Sequence, residues 1–104
     1  MSAAAAFALT AAGAGRLSAA GPLTFATAHA ARLAGLAALA AAGAAATIDC
    51  SGLSACDSAG LAVVLDWLAA AKRGGCSLRL VALPEDLSAL ARISEVSELL
   101  ERGV

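Results

Sequence analysis

The chain has no tyrosine, two phenylalanines, one tryptophan, one histidine, two prolines and three cysteines in 104 residues. Cys50, Cys56 and Cys76 are odd in number and lack a close paired spacing, and His29 stands alone. Neither a disulfide framework nor a zinc site is supported, so no metal and no other cofactor is expected, and a reducing cytoplasm is the simplest setting. Charge is nearly missing from the first half: all eight acids lie from Asp49 onward, and residues 1–48 hold only Arg16 and Arg32 as cations. With no basic patch anywhere, nucleic acid is not an expected partner.

Long hydrophobic runs are missing too. The longest uncharged stretch, Leu33 to Ile48, has sixteen residues and includes Gly35 and Gly43. Spanning a bilayer takes roughly 20 apolar residues, so direct membrane insertion is not expected. Met1 to Gly15 is uncharged, but its first cation, Arg16, follows the apolar run instead of preceding it, so a cleaved signal is not expected.

What the chain does have is alanine, which supplies much of the 61% apolar content. Alanine buries little area, so each helix gains less from burial than that percentage suggests. The length fits a single domain, residues 1–104, able to bury about two-thirds of the surface its unfolded form exposes.

Apolar patterning divides the chain into seven elements. Ala3 to Ala11 reads as a first strand, Ala12 to Gly15 as a turn, and Arg16 to Ala20 as a returning strand. Gly21-Pro22-Leu23-Thr24 breaks it, and Thr24 or Thr27 caps a helix to about Ala42, with Phe25, Ala28, Leu33, Leu36 and Leu39 at helical spacing. Ala44 to Cys50 is continuously apolar, as a mid-sheet strand covered on both faces would be. A polar turn follows.

From Ser58 to Arg73 the pattern is that of an amphipathic helix, with Leu61, Val64, Leu65 and Leu68 on one stripe and Gly74-Gly75 as the stop. Ser77 to Leu83 is a further strand, and Pro84-Glu85-Asp86 opens a last helix that bends before Val96, Leu99 and Leu100. The order ββαβαβα predicts an α/β fold, a mixed four-stranded sheet with packed helices.

The organising stretch is Asp49 to Leu61, which delivers Asp57 and Ser58 to a helix start. A hydroxyl there suits an N-cap, an anion contact or a phosphorylation site, because the first N–H groups of a helix lack internal partners. Ser58, Asp57 and His29 are the residue types of a hydrolase triad, but no Gly-x-Ser-x-Gly elbow surrounds Ser58 and no enzyme activity is expected. A triphosphate loop is missing as well. Cys50 reads as a small core residue and Cys56 as a turn residue.

The outward face of the second helix is small and apolar. At about 100° per residue, Ala59, Ala62, Val63, Asp66 and Ala70 fall opposite the leucine stripe, with Trp67 at the margin. That face suits close approach by a partner element, whereas Trp67 alternatively caps the protein's own core.

Ile48-Asp49-Cys50-Ser51-Gly52-Leu53 followed by Asp57-Ser58-Ala59-Gly60-Leu61 resembles the signature of STAS domains, the module shared by sulfate transporters and anti-sigma factor antagonists. The antagonists usually read Asp-Ser-Ser-Gly, with a phosphorylated first Ser, and Gly-Glu-Leu-Asp after the second strand. Here Ala59 replaces the second Ser, and Gly21-Pro22-Leu23-Thr24 replaces the acidic stretch. That stretch and the run from Leu83 to Val96 are more similar to MlaB-type proteins, cytoplasmic subunits of the Mla phospholipid-transport ABC complex.

The resemblance implies a non-catalytic subunit that binds an ABC transporter ATPase and is associated through its complex with the inner membrane. Asp57, Ser58, Ala59 and Gly60 would form the contact, extended by Ala62, Val63, Asp66 and Trp67. The alternative is an anti-sigma factor antagonist switched by phosphorylation of Ser58. A homodimer through the alanine-rich faces stays open.

Overall fold

In a computed structural model, residues 6–104 are described. Four strands, β1 (Ala8–Gly13), β2 (Arg16–Leu23), β3 (Ala45–Cys56) and β4 (Ser77–Val81), lie in the sheet order β1-β2-β3-β4. The hairpin β1–β2 is antiparallel, and β2–β3 and β3–β4 are parallel. The parallel pairs are joined by α1 (Ala28–Ala42) and α2 (Ser58–Arg73), and two further helices, α3 (Glu85–Ile93) and α4 (Ser97–Arg102), follow β4.

Both crossovers step the same way across the sheet, and right-handed connections then place α1 and α2 on one face. Burial alternates accordingly. Ala46, Ile48 and Cys50 are buried, whereas Thr47, Asp49 and Ser51 between them are not. The open face carries the cross-strand rows Arg16–Thr47–Arg79 and Ser18–Asp49–Val81. The expected two-sided cover of β3 is therefore wrong: the strand is central in order but packed on one face.

Other boundaries move as well. The first strand begins at Ala8, and the part of it expected at residues 3–5 lies outside the described residues. β2 runs on through Pro22 to Leu23, with a register shift between Gly21 and Pro22 where the proline has no N–H to donate. β3 continues to Cys56, so most of the stretch read as a polar turn is strand. Gly52, Leu53, Ala55 and Cys56 pair with Ala20, Gly21, Pro22 and Leu23, and this tertiary pairing overrides the poor strand propensity of Ser51, Gly52 and Ser54.

The last helix is two helices. Glu95 takes a φ of 61°, Val96 N–H donates to the Ala91 carbonyl at 2.8 Å and Glu95 N–H to Arg92 at 3.1 Å, a Schellman stop made without glycine. The same pair of bonds ends α2, where Gly75 holds the left-handed position with a φ of 74°.

The core lies between the sheet and the helices, and Trp67 on α2 is its largest fully buried side chain. Its indole Nε1 donates to the Ala31 carbonyl of α1 at 3.2 Å, and its ring stands 6.0 Å from that of Phe7. The face of α1 turned inward is Ala31, Gly35 and Leu39. Gly35 is obligatory there, because a Cβ would overlap the indole. Small residues on α1 thus make room for one large residue on α2.

Candidate functional site

The site is built where β2 and β3 end and α2 begins. Asp57 is extended, with φ −122° and ψ −172°, and caps α2: its Oδ1 accepts the Gly60 N–H at 3.0 Å. Its Oδ2 accepts the Phe25 N–H, also at 3.0 Å, from the turn between β2 and α1. One carboxylate therefore joins two segments distant in sequence. The Phe25 N–H first, and then that of Gly60, hold the Asp57 carboxyl below its ordinary value.

Gly60 completes the junction. A Cβ at this position would overlap the Leu23 carbonyl oxygen, so glycine lets the first turn of α2 rest against the end of β2. The turn after β2 is pinned again by Thr27, whose hydroxyl donates to the Pro22 carbonyl at 2.8 Å and accepts from the Thr24 N–H at 3.0 Å. Asp86, in the first turn of α3, accepts the Cys56 N–H at 2.9 Å with Oδ2 and the Leu87 N–H at 2.9 Å with Oδ1. Two aspartates brace the chain on either side of Ser58.

Ser58 occupies the first helical position and is exposed, and among the described residues no hydrogen bond engages its hydroxyl. The cap belongs to Asp57, which resolves one of the three readings of this hydroxyl. The anion-contact reading also weakens, because the Asp57 carboxylate already serves the first-turn N–H of Gly60 and carries negative charge itself.

The eight residues expected on the contact face separate by burial. Ser58, Ala62 and Asp66 are exposed, Asp57 and Ala59 are half-buried, and Gly60, Val63 and Trp67 are buried. Asp66 pairs with Arg32 of α1, Nε to Oδ2 at 3.1 Å. Val63 and Trp67 are withdrawn because α2 is flanked by α1 as well as lying over the sheet, so its buried arc is wider than the leucine stripe and includes residues 60, 63, 67 and 71. Of the two readings of Trp67, the core reading is the one observed.

Phe25 was read at helical spacing with the first helix. It lies instead in the turn before α1 and is 84% exposed, beside the start of α2 through its bond to Asp57. Leu33, read at the same spacing, is 49% exposed. An exposed phenylalanine in this turn has only a faint sequence signal, the break Gly21-Pro22 that displaces the helix start.

Chemistry at the site is limited by these bonds. Both Asp57 oxygens are engaged by backbone N–H groups, so Asp57 does not orient His29, which is exposed on α1. Burial first, then the neighbouring Asp86, push the Cys56 thiol up to about 11, and burial pushes Cys50 up to about 12. Among the described residues no cluster of three His, Cys, Asp or Glu side chains is placed to hold a metal ion.

A family profile described as "Mlab, STAS domain" matches residues 7–101. The chain belongs to the STAS domain family. A solved structure of the anti-sigma factor antagonist SpoIIAA in its unphosphorylated form is similar to the STAS chain over 90% of this chain and 83% of that one, with a TM-score of 0.62. Sequence identity is 18%, so that likeness is one of fold. No curated protein matches it in sequence. The mixed four-stranded sheet with its packed helices is thus the STAS fold, and no described helix is long and apolar enough to cross a membrane.

Proposed function

We propose that this chain is a non-catalytic STAS subunit that docks on the ATPase of an Mla-type phospholipid-transport ABC complex. It acts in the cytoplasm and is held at the inner membrane through that complex. The docking surface is Ser58 with Ala62 and Asp66 on α2 and Phe25 beside them. The observation that carries this reading is the exposed Ser58 hydroxyl, unbonded among the described residues, on a junction where Asp57 ties the start of α2 to the backbone of the 84% exposed Phe25. An exposed aromatic on a turn held by hydrogen bonds is the kind of anchor that dominates protein interfaces. The Mla-like description of the matching family supports the choice of partner.

The test is binding of the purified chain to the ATPase subunit of an Mla-type complex, read by copurification and by stimulation of ATP hydrolysis. Ser58→Arg places a long cation in the contact and is expected to abolish both while leaving the fold intact. Unchanged binding and stimulation would refute the docking surface.

A second reading is a phosphorylation switch at Ser58, favoured by the same free hydroxyl. A phosphate adds about −1.5 to −2 charge at the helix start. Asp57 lies next to that position and opposes the added charge. Incubation with candidate kinases and mass spectrometry separates the readings: stoichiometric phosphate on Ser58 that breaks a complex supports the switch.

A further inference from the structure

The Phe25 ring is 84% exposed, so side-chain packing does little to hold it in place. What holds it is backbone. The Phe25 N–H donates to Asp57 Oδ2 at 3.0 Å, across 32 positions of sequence. Within the turn, the Thr27 N–H donates to the Thr24 carbonyl at 3.0 Å, and the Thr27 hydroxyl bonds both the Pro22 carbonyl and the Thr24 N–H. The turn is closed on itself by these bonds. Among the described residues, Asp57 supplies the one hydrogen bond that runs from this turn to the start of α2.

The Asp57 carboxylate has two tasks and one oxygen for each. Oδ1 accepts the Gly60 N–H at 3.0 Å and closes the first turn of α2, which any good N-cap residue would do. Oδ2 goes to Phe25, which capping does not require. Serine and threonine also cap helices, yet each carries a single side-chain oxygen. Gly60 keeps the two segments near one another, since the missing Cβ lets the start of α2 lie against the Leu23 carbonyl.

We propose that Asp57 is a positioning residue for docking: through the Phe25 N–H it sets the turn that carries Phe25, so that the ring meets the ATPase in a fixed place. The assignment rests on the reading of Phe25 as an anchor on that subunit. Ordering a mobile segment during association lowers affinity, and a segment held beforehand avoids that loss. The charge strengthens the hold, because a carboxylate accepts a hydrogen bond more strongly than a neutral oxygen does.

The test is Asp57→Ser, which keeps an oxygen for Gly60 and has none left for Phe25. Trp67 fluorescence in urea checks that the variant folds, and Asp57→Thr, with the same single oxygen, is the second variant. Amide exchange followed by NMR is the first readout and needs no partner. The Phe25 amide is expected to exchange at least about tenfold faster, while the Gly60 amide, still capped, stays within about twofold of the wild type. Binding to the ATPase subunit of an Mla-type complex is the second readout, taken as a double-mutant cycle with Phe25→Ala. Asp57→Ser alone is expected to weaken binding about tenfold, and by less than about twofold once Phe25 is truncated. A residue that only caps α2 would leave the Phe25 amide unmoved and the cycle additive.

An unchanged Phe25 amide overturns the assignment. So does a binding loss equally large in both backgrounds, which would mean that Asp57 acts by its own charge or contact. If the wild type binds and Asp57→Ser binds as well, the assignment fails and the docking reading stands. If the wild type does not bind, the docking reading fails and the assignment falls with it, even where the exchange rates are as expected.

Discussion

Gly60→Ala is the substitution that most directly examines how α2 is seated. Within a helix, replacing glycine by alanine ordinarily stabilises by about 1 kcal/mol, because it reduces the freedom of the unfolded chain. At Gly60 the new methyl overlaps the Leu23 carbonyl, a backbone atom in a paired strand that cannot swing aside. Forced overpacking costs typically about 1–3 kcal/mol and occasionally more, so the clash outweighs the propensity gain. With backbone as the obstacle the upper end of that range applies, and the net expectation is a loss of about 2 kcal/mol, or roughly 8–16 °C in Tm for a domain of this size.

Gly74→Ala is the matched control. Gly74 has a φ of −86°, and the nearest atom to an added Cβ is the Ala70 carbonyl oxygen at 3.4 Å, a tight contact at the free end of a helix. A neutral effect or a gain of about 0.5 kcal/mol is expected there. Urea unfolding followed by the fluorescence of Trp67, the only tryptophan and fully buried, reports both variants. The midpoint should fall for Gly60→Ala with the slope unchanged. If Gly60→Ala is as stable as Gly74→Ala, α2 does not rest on β2 in the way described.

Phe25→Ala should leave the thermal midpoint nearly unchanged, since the ring is 84% exposed, yet weaken binding to the ATPase about tenfold or more in a titration. Glu95→Gly relieves a left-handed residue at the break between α3 and α4 and should stabilise by about 0.5–1 kcal/mol, measured by urea midpoint. Asp57→Asn should destabilise more at neutral pH than in acid. A folded carboxyl held below its ordinary 3.8 contributes stability that is present above that value and lost as pH falls through the folded pKa, so the wild-type and Asn unfolding curves should converge in acid. The Cys56 thiol, pushed up to about 11, should react with a disulfide reagent at a rate still rising with pH beyond 9, whereas an ordinary thiol levels off near its pKa of about 8.5.

Much of the junction around Ser58 is legible in the chain because its parts are local. The apolar period and the Gly-Gly stop define α2 from Ser58 to Arg73, although the cap is Asp57 and not the Ser58 hydroxyl that the sequence offered. The motif from Asp57 to Leu61 carries the STAS resemblance that the family match bears out. What local rules do not reach is the bond from Asp57 to Phe25, which spans 32 positions. Nor do they reach the extension of β3 through Ser51, Gly52 and Ser54, where pairing with β2 supplies what propensity withholds.

Trp67 and Phe25 show the division most plainly. Both are large aromatics near the edge of an apolar stripe, and periodicity assigns each to a face only relative to its own helix. Trp67 is buried because α1 presents Ala31 and Gly35, small enough to leave a slot for an indole; Phe25 is exposed because Thr27 and Asp57 hold its turn clear of the helix that follows. Local patterning set α2, its Gly-Gly stop and the family motif, since those depend on neighbours a few residues away. Which aromatic fills the core and which stands exposed before α1 was decided only by tertiary structure, because burial depends on what the rest of the chain brings alongside.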